Sequence, residues 1–424
     1  MTSVQSPTAV DTDLESALTA EDLFALMRST WTWDDRALRR DLATLLVDLD
    51  AARLCPQAAF AEVLRYEALH RSATFAATVL GPKLIADTGN PLRHRYIAAA
   101  ADPAALGRAA AAARVAAAGT ALDYVAAQVS ANTYPLESGW RRLIAEQGAT
   151  GLATAMRSAG HSLSDSNFFA SFGLAWQMLT TITRSESGAA LAQRLLDGEI
   201  DATLAAAEQT GSWDPVLVKT RATPTETGWR LDGVKHFVPG ADTADVILVV
   251  GRSIAGPSVF AVDRTAPGVA VTPHPVLDAT RPLFEVSCTN TPATILGREG
   301  AGGRLMFEAL GRATTALAGE QVGLIERAVQ HLTTHDGADL TDVAIQHAKA
   351  VGTWRAAVDK PTPERAATAH IAASAAALSV TEQVAELLGP SPETTALQHR
   401  AISANLLFGG PALSHERLLE RLGL

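Results

Sequence analysis

The stretch from Ala205 to Gly303 decides the fold. It opens AAAEQTGSWDP (205–215) and passes through GWRLDGVKHFVPGADTADVILVV (228–250) and SVFAVDRTAPGVAV (258–271). It closes TPATILGREGAGG (291–303). Val216–Ala222 and Trp229–Leu231 flank a Thr227–Gly228 turn, and Val246–Val250 and Val259–Val262 are short valine-rich runs between Gly and Pro breakers. Short β-branched runs bounded by turn residues predict strands. Long Ala-, Leu- and Glu/Arg-rich stretches lie on both sides. The reading is a small sheet domain set between two helical blocks.

Upstream, Leu23, Leu26 and Met27, then Leu38, Leu42, Leu45 and Leu46, recur at helical spacing from Ala20 to about Leu80. Asp34–Asp35 offers a cap, and Gly81-Pro82 breaks the pattern. Phe168–Thr183 and Gly188–Leu196 read as two further helices. Downstream, Arg304–His331, Thr341–Val358, Glu364–Leu388 and Leu397–Leu422 predict an antiparallel bundle punctuated by Pro361, Pro363, Gly389 and Pro390. Small residues at Ala316–Gly323 permit close helix packing.

The chain has 424 residues, a hydrophobic fraction of 47% and a formal net charge of −10. Its basic residues form no block, which disfavours a nucleic-acid partner. Its two cysteines, Cys55 and Cys288, are far apart, so neither a disulfide framework nor a cysteine metal site is expected, and a reducing cytoplasm is the default. No basic, apolar leader opens the sequence, and runs such as Ala109–Ala118 are too short to span a bilayer. His70, His94 and Arg95 are weighed as ligand contacts and read as solvated helix faces.

Motifs within the central stretch occur in a telling order. They are Trp229–Phe237 (W-x-L-D-G-x-K-x-F), Ala244–Val249, Phe260–Asp263, Pro267–Val269, Leu277–Arg281 and Leu296–Gly302. In this order and spacing the chain resembles the acyl-CoA dehydrogenases, of the actinobacterial lipid and steroid side-chain type. Trp140, Ile144–Leu152 and Ala316–Gly323 extend the resemblance. It implies an α+β fold: an N-terminal helical domain (103–203), a middle antiparallel β domain (204–303) and a C-terminal helical bundle (304–424). Residues 1–102 form an extra helical segment. It further implies FAD, and α,β-dehydrogenation of an acyl-CoA or other acyl thioester, a carboxylate taking the α proton. The implied cofactor-binding positions are Ala207, Glu208, Ser212, Phe237, Val238, Pro239, Glu386, Gly389, Phe408 and Gly410.

The sequence departs from that pattern at its chemistry. Pro239 stands where the family has a threonine, and brings neither hydroxyl nor N–H. His331–Asp339 lacks the family's pyrophosphate-binding arginine, and Glu386 replaces a glutamine. Gly409 and Ala313 occupy both usual positions of the catalytic glutamate, so no catalytic residue is assigned. These departures leave three readings. One is a flavoprotein subunit that needs a partner subunit of the same family, as in heteromeric relatives. Another is a flavin-free descendant with a structural or non-redox acyl-thioester role. The third is a flavin-dependent oxygenase. A homo- or hetero-oligomer is expected through Ala316–Leu388, with no membrane partner.

Overall fold

The computed structural model describes residues 20–82, 103–131, 139–164, 166–182, 185–332 and 339–424. Helices α1 (Ala20–Ser29), α2 (Arg36–Leu54) and α3 (Ala58–Leu80) come first, followed by α4 (Pro103–Ala131) and α5 (Trp140–His161). Helix α6 joins Ser166–Phe168, a π-helical Phe169–Ala175 and Trp176–Thr181; α7 is Glu186–Asp197. The sheet domain holds β1 (Ala202–Ala205), β2 (Arg221–Thr225), β3 (Gly228–Pro239), β4 (Val246–Ser253), β5 (Gly256–Asp263), β6 (Val269–Pro273) and β7 (Leu283–Leu296). The bundle follows: α8 (Gly302–Leu332), α9 (Thr341–Asp359), α10 (Pro363–Leu388), α11 (Pro392–Leu406) and α12 (Gly410–Arg421).

The expected order of helical block, sheet and bundle is borne out. The sheet curls into a barrel: β4 pairs with β5, β5 with β7, β7 with β3, β3 with β2, and β2 returns to β4. Most pairings are antiparallel; β1 and β2 run parallel to β4. The valine-rich run of β4 is explained by burial on both faces. Ile247 and Val249 point into the barrel with Leu231, Phe260 and Val286, while Leu248 and Val250 face the helical layer. One predicted strand begins elsewhere. Pro215–Leu217 forms a short 3₁₀ turn capped by Asp214, with Val216 and Leu217 exposed, so pairing starts at Arg221.

Helix α8 anchors the molecule. It crosses α5 with backbones in contact: a Cβ added at Gly160 would lie 1.8 Å from the Glu320 carbonyl oxygen, and one at Gly323 lies 1.8 Å from that of Arg157. Gly319 lies against the Trp354 indole of α9 in the same way. The small-residue face at Gly319 and Gly323 is thus filled within the chain. Helix α10 is long and apolar enough to cross a membrane, yet it lies in the bundle, and Ala369, Ala372, Ala373, Ala376, Ala377 and Val380 are buried there.

The extra N-terminal helices share the bundle's core. Leu23, Leu26, Leu42, Phe60 and Val63 belong to one apolar cluster with Val322, Val351, Ala373 and Leu418. Helix α2 packs on α9, α10 and α12. The predicted single helix Leu397–Leu422 is two, α11 and α12, broken at Phe408, Gly409 and Gly410, all with positive φ. His94, Arg95 and most of His331–Asp339 lie outside the described residues.

Candidate functional site

The site lies where three irregular pieces of backbone meet. The first is a bulge in β3. Register with β7 shifts between Lys235 and Val238, and Phe237 takes a φ of +58°. An extra residue in one strand re-aims the side chain at the bulge. Phe237 is therefore turned out of the barrel and 39% exposed, while Val238 returns to the barrel core. The second piece is the loop from His274 to Leu283, closed by the His274 N–H donating to the Leu283 carbonyl at 2.8 Å. The third is the break between α11 and α12. There Phe408 has a φ of +60° and packs edge-on against Trp213, ring centres 4.9 Å apart.

These pieces enclose a cavity of about 450 Å³. Its apolar walls include Trp213, Phe237, Leu283, Ile402, Leu406 and Phe408; its polar groups include His274, Asp278, Arg281 and Ser403. Beneath it lies a buried charge cluster that ties the sheet domain to the bundle. Arg400 of α11 donates to Asp278 Oδ2 at 3.1 Å, to Glu320 Oε1 at 2.9 Å and to the carbonyls of Ser164 and Thr280 at 2.8 Å each. Arg281 donates its Nη2 to Glu320 Oε1 and lies 4.6 Å over the Phe169 ring. Each of the four charged residues is at most 3% exposed. Two guanidiniums balance two carboxylates, as burial of charge requires.

Of the positions implied by the resemblance, the cavity brings together Phe237 and Phe408, with Gly211 and Gly409 beside them. The others lie elsewhere. Ala207 is buried, its carbonyl accepting from the His236 N–H at 3.0 Å. Val238 faces the barrel core. Gly410 is buried at the start of α12, and Glu386 and Gly389 sit at the far end of α10. His274, Arg281 and Arg400 were not singled out as site residues. Only Arg281 carried a signal, as the last residue of the Leu277–Arg281 motif.

The polar atoms at the positions implied for FAD already have partners. The Glu208 carboxylate is spent on the barrel: it accepts from the N–H groups of Lys219 and Thr220, the Thr220 hydroxyl and, at 3.0 Å, Lys235 Nζ. Burial pushes Glu208 up, but Lys235 and the Thr220 hydrogen bonds outweigh it and hold the carboxyl at about 2. Burial pulls Lys235 down to about 8, against the attraction of Glu208. The N–H groups of Gly211, Ser212 and Asp214 donate to Glu208 O, Thr210 Oγ1 and Ser212 Oγ. The Pro239 carbonyl accepts from Thr203 Oγ1 at 2.7 Å. One face of Phe237 is taken by His274, rings 5.4 Å apart and 28° from parallel. The Glu208 carboxylate, the Ser212 N–H and the Pro239 carbonyl are thus engaged within the barrel and its adjoining loop and do not fit an isoalloxazine ring, whereas Phe237 and Phe408 line the cavity.

Among the described residues, a free carboxylate is also missing from the cavity wall. Gly409 has a φ of +102°, and a Cβ there would lie 2.5 Å from Leu413 Cδ2. Ala313 is buried and does not line the cavity. Asp278 does line it, but its carboxylate is held by Arg400, the Thr280 N–H and the Thr280 hydroxyl.

Compared with known families, residues 203–285 match the model "Acyl-CoA dehydrogenase, middle domain". No curated protein matches. Among solved structures, butyryl-CoA dehydrogenase from Megasphaera elsdenii superposes with a TM-score of 0.61 at 16% identity, over 73% of this chain and 98% of its own. A variant of the steroid acyl-CoA dehydrogenase Tcur3481-Tcur3483 does so with a TM-score of 0.57 at 20% identity, over 73% and 97%. The prolyl acyl carrier protein oxidase AnaB gives 0.58 at 17% identity, over 73% and 99%. The chain has the acyl-CoA dehydrogenase fold, and its residues 203–285 match the middle domain of that family.

Proposed function

We propose that this chain binds the apolar acyl part of a thioester in the cavity between Phe237 and Phe408, and that alone it performs no dehydrogenation. The observation that carries this reading is the state of the cavity's polar atoms. Among the described residues the one carboxylate on its wall, Asp278, is locked to Arg400, and the polar atoms of Glu208 and Pro239 are engaged within the barrel. Loss of a general base by itself lowers rate by about 10²–10⁴. The walls favour an apolar guest, and Leu277 and Leu406, both more than half exposed, form an apolar rim. Solved neighbours act on acyl groups held as thioesters: butyryl-CoA, glutaryl-CoA and a prolyl carrier protein. Those chemistries bound the ligand class without naming the ligand.

The reading is tested with the pure chain. It should show no absorbance near about 450 nm from oxidised flavin after incubation with excess FAD and desalting. It should bind acyl-CoAs of medium chain length without turning them over. Retained yellow colour, or robust turnover without a partner, would overturn it.

A second reading keeps the reaction. The Gly409–Gly410 pair resembles heteromeric relatives, in which a partner subunit supplies the base and part of the flavin site. Activity that appears only on mixing with a glutamate-bearing subunit would select that reading.

A further inference from the structure

We propose that a second cavity, between α5, α6, α8 and α9, binds a medium-chain carboxylate, with its apolar tail inside and its head on Arg312. This cavity shares no lining residue with the one at Phe237, and the proposal stands whatever that first cavity takes.

The hollow follows from two breaks in helical geometry. Gly148 interrupts α5 with a φ of +56° and a ψ of −125°, so the first turns of the helix bend away from the rest. A Cβ built at Gly148 would stand in open space. In α6 the π-helical Phe169–Ala175 ends directly before Trp176, and its wider turn shifts the residues that follow around the helix axis. Gln177 secures that turn by donating Nε2 to the Phe172 carbonyl at 2.9 Å. The space between the two breaks is about 400 Å³, the size of a small-molecule site. Leu152, Ala153, Trp176, Val358 and Pro361 line it, and each keeps accessible surface, so a guest reaches them directly.

Among the described residues, one charged side chain meets this wall. Arg312 of α8 is exposed and forms no ion pair there. Its Nη1 donates to the Thr180 hydroxyl at 3.2 Å. A guanidinium carries five donors, so most of the fork is left for another acceptor. The hydroxyls on the wall are neutral and spent on backbone: Thr180 donates to the Trp176 carbonyl at 2.9 Å and Thr315 to the Gly311 carbonyl at 3.3 Å.

Charge and shape select the guest. Beneath the first cavity two guanidiniums are matched by two carboxylates. Here the single cation has no counter-ion on the wall, and a carboxylate supplies one with paired hydrogen bonds to the fork. Water screens that attraction because Arg312 is exposed, so most of the affinity comes from burying the tail and the head sets the preference. An alcohol of the same length keeps the tail and forgoes the ion pair. An alkylammonium brings like charge to the mouth.

The test is calorimetry on the full chain with octanoate, 1-octanol and octyltrimethylammonium at equal ionic strength. Octanoate is expected to bind about fivefold more tightly than octanol, the size of one well-placed exposed ion pair, and the ammonium most weakly. The preference should shrink in about 0.5 M salt. Arg312→Gln should erase the preference and leave octanol binding unchanged, and Arg312→Glu should turn it toward the ammonium. Both changes fall at an exposed position, which spares the fold. Thr315→Phe fills the hollow from α8 and should remove the Arg312-dependent site. No measurable octanoate binding, equal affinity for octanoate and octanol, a preference that persists in Arg312→Gln, or undiminished octanoate binding in Thr315→Phe would each overturn the inference.

Discussion

Lys349, on α9 of the bundle, donates its Nζ to the Asp48 carboxylate of α2 at 2.5 Å, with both residues buried. This pair binds the N-terminal helices to the bundle through charge as well as apolar packing. Arg71 of α3 reaches the same carboxylate. Removing one partner of a buried pair strands the other, so Asp48→Ala should cost about 3 kcal/mol in a urea unfolding series. Asp48→Leu combined with Lys349→Met should recover most of that loss. Deletion of residues 1–82 should leave an aggregating product, because it uncovers the bundle faces that α1–α3 bury. A soluble, cooperatively folding truncation would refute this.

Acid should destabilise the chain in two stages. His370 is fully buried beside Gln321 and Ser374, and burial holds it at about 4, below its ordinary 6.5. The folded state therefore prefers the neutral ring. The stability this brings is complete above about pH 6.5 and is lost as pH falls through 4. Glu326 follows. Burial raises it, but its bonds to His347 and Arg157 outweigh burial and hold it at about 2, so its contribution is present above the ordinary 4.5 and fades as pH falls through 2. Melting temperature should thus decline from pH 6.5 to 4 and again from 4.5 to 2. His370→Asn should flatten the first interval, and Glu326→Gln the second. A melting temperature constant from pH 7 to 4 would contradict the assignment.

Two glycines of similar appearance in the sequence should respond oppositely to alanine. Gly160→Ala places a methyl group on the Glu320 carbonyl and forces α5 and α8 apart, at a cost of about 3 kcal/mol. Gly311→Ala, in α8 with nothing within 4 Å of the added carbon, should stabilise by about 0.5–1 kcal/mol through helix propensity. Thermal melts of both variants check the contrast.

Glu208 offers a direct check on the flavin argument. If its carboxylate serves the barrel, Glu208→Gln should lower stability by leaving the buried Lys235 ammonium without its counter-charge. Neither Glu208→Gln nor Lys235→Met should create or abolish binding of medium-chain acyl-CoAs. A loss of ligand affinity with unchanged melting temperature would return Glu208 to the site.

The sequence made the architecture readable where local signals are strong. The Gly and Pro breakers around Val246–Val250 and Val259–Val262 marked the sheet, and the leucine spacing marked α1–α3. Closure of the barrel was not readable, because it depends on the single β2–β4 pairing at Arg221 and Arg252 between residues far apart in the chain. The β bulge at Phe237 was equally silent: a register shift leaves no mark on composition. Phe237 and Phe408 were placed at the site through the resemblance. Arg400 and His274 were missed because an isolated charged or aromatic-polar residue in an Ala/Leu helix or a Pro-rich loop looks like surface. Only their burial against other elements reveals otherwise.

The turn at Gly409 has a consequence for redesign. An acid there is not just absent; the backbone does not accommodate one. Only glycine adopts a φ of +102° readily, and any side chain meets Leu413. Gly409→Glu alone should therefore lower the melting temperature without bringing a proton acceptor into place, and Leu413→Ala beside it should recover part of the loss. Installing chemistry at this turn takes a change of backbone path as well as of side chain.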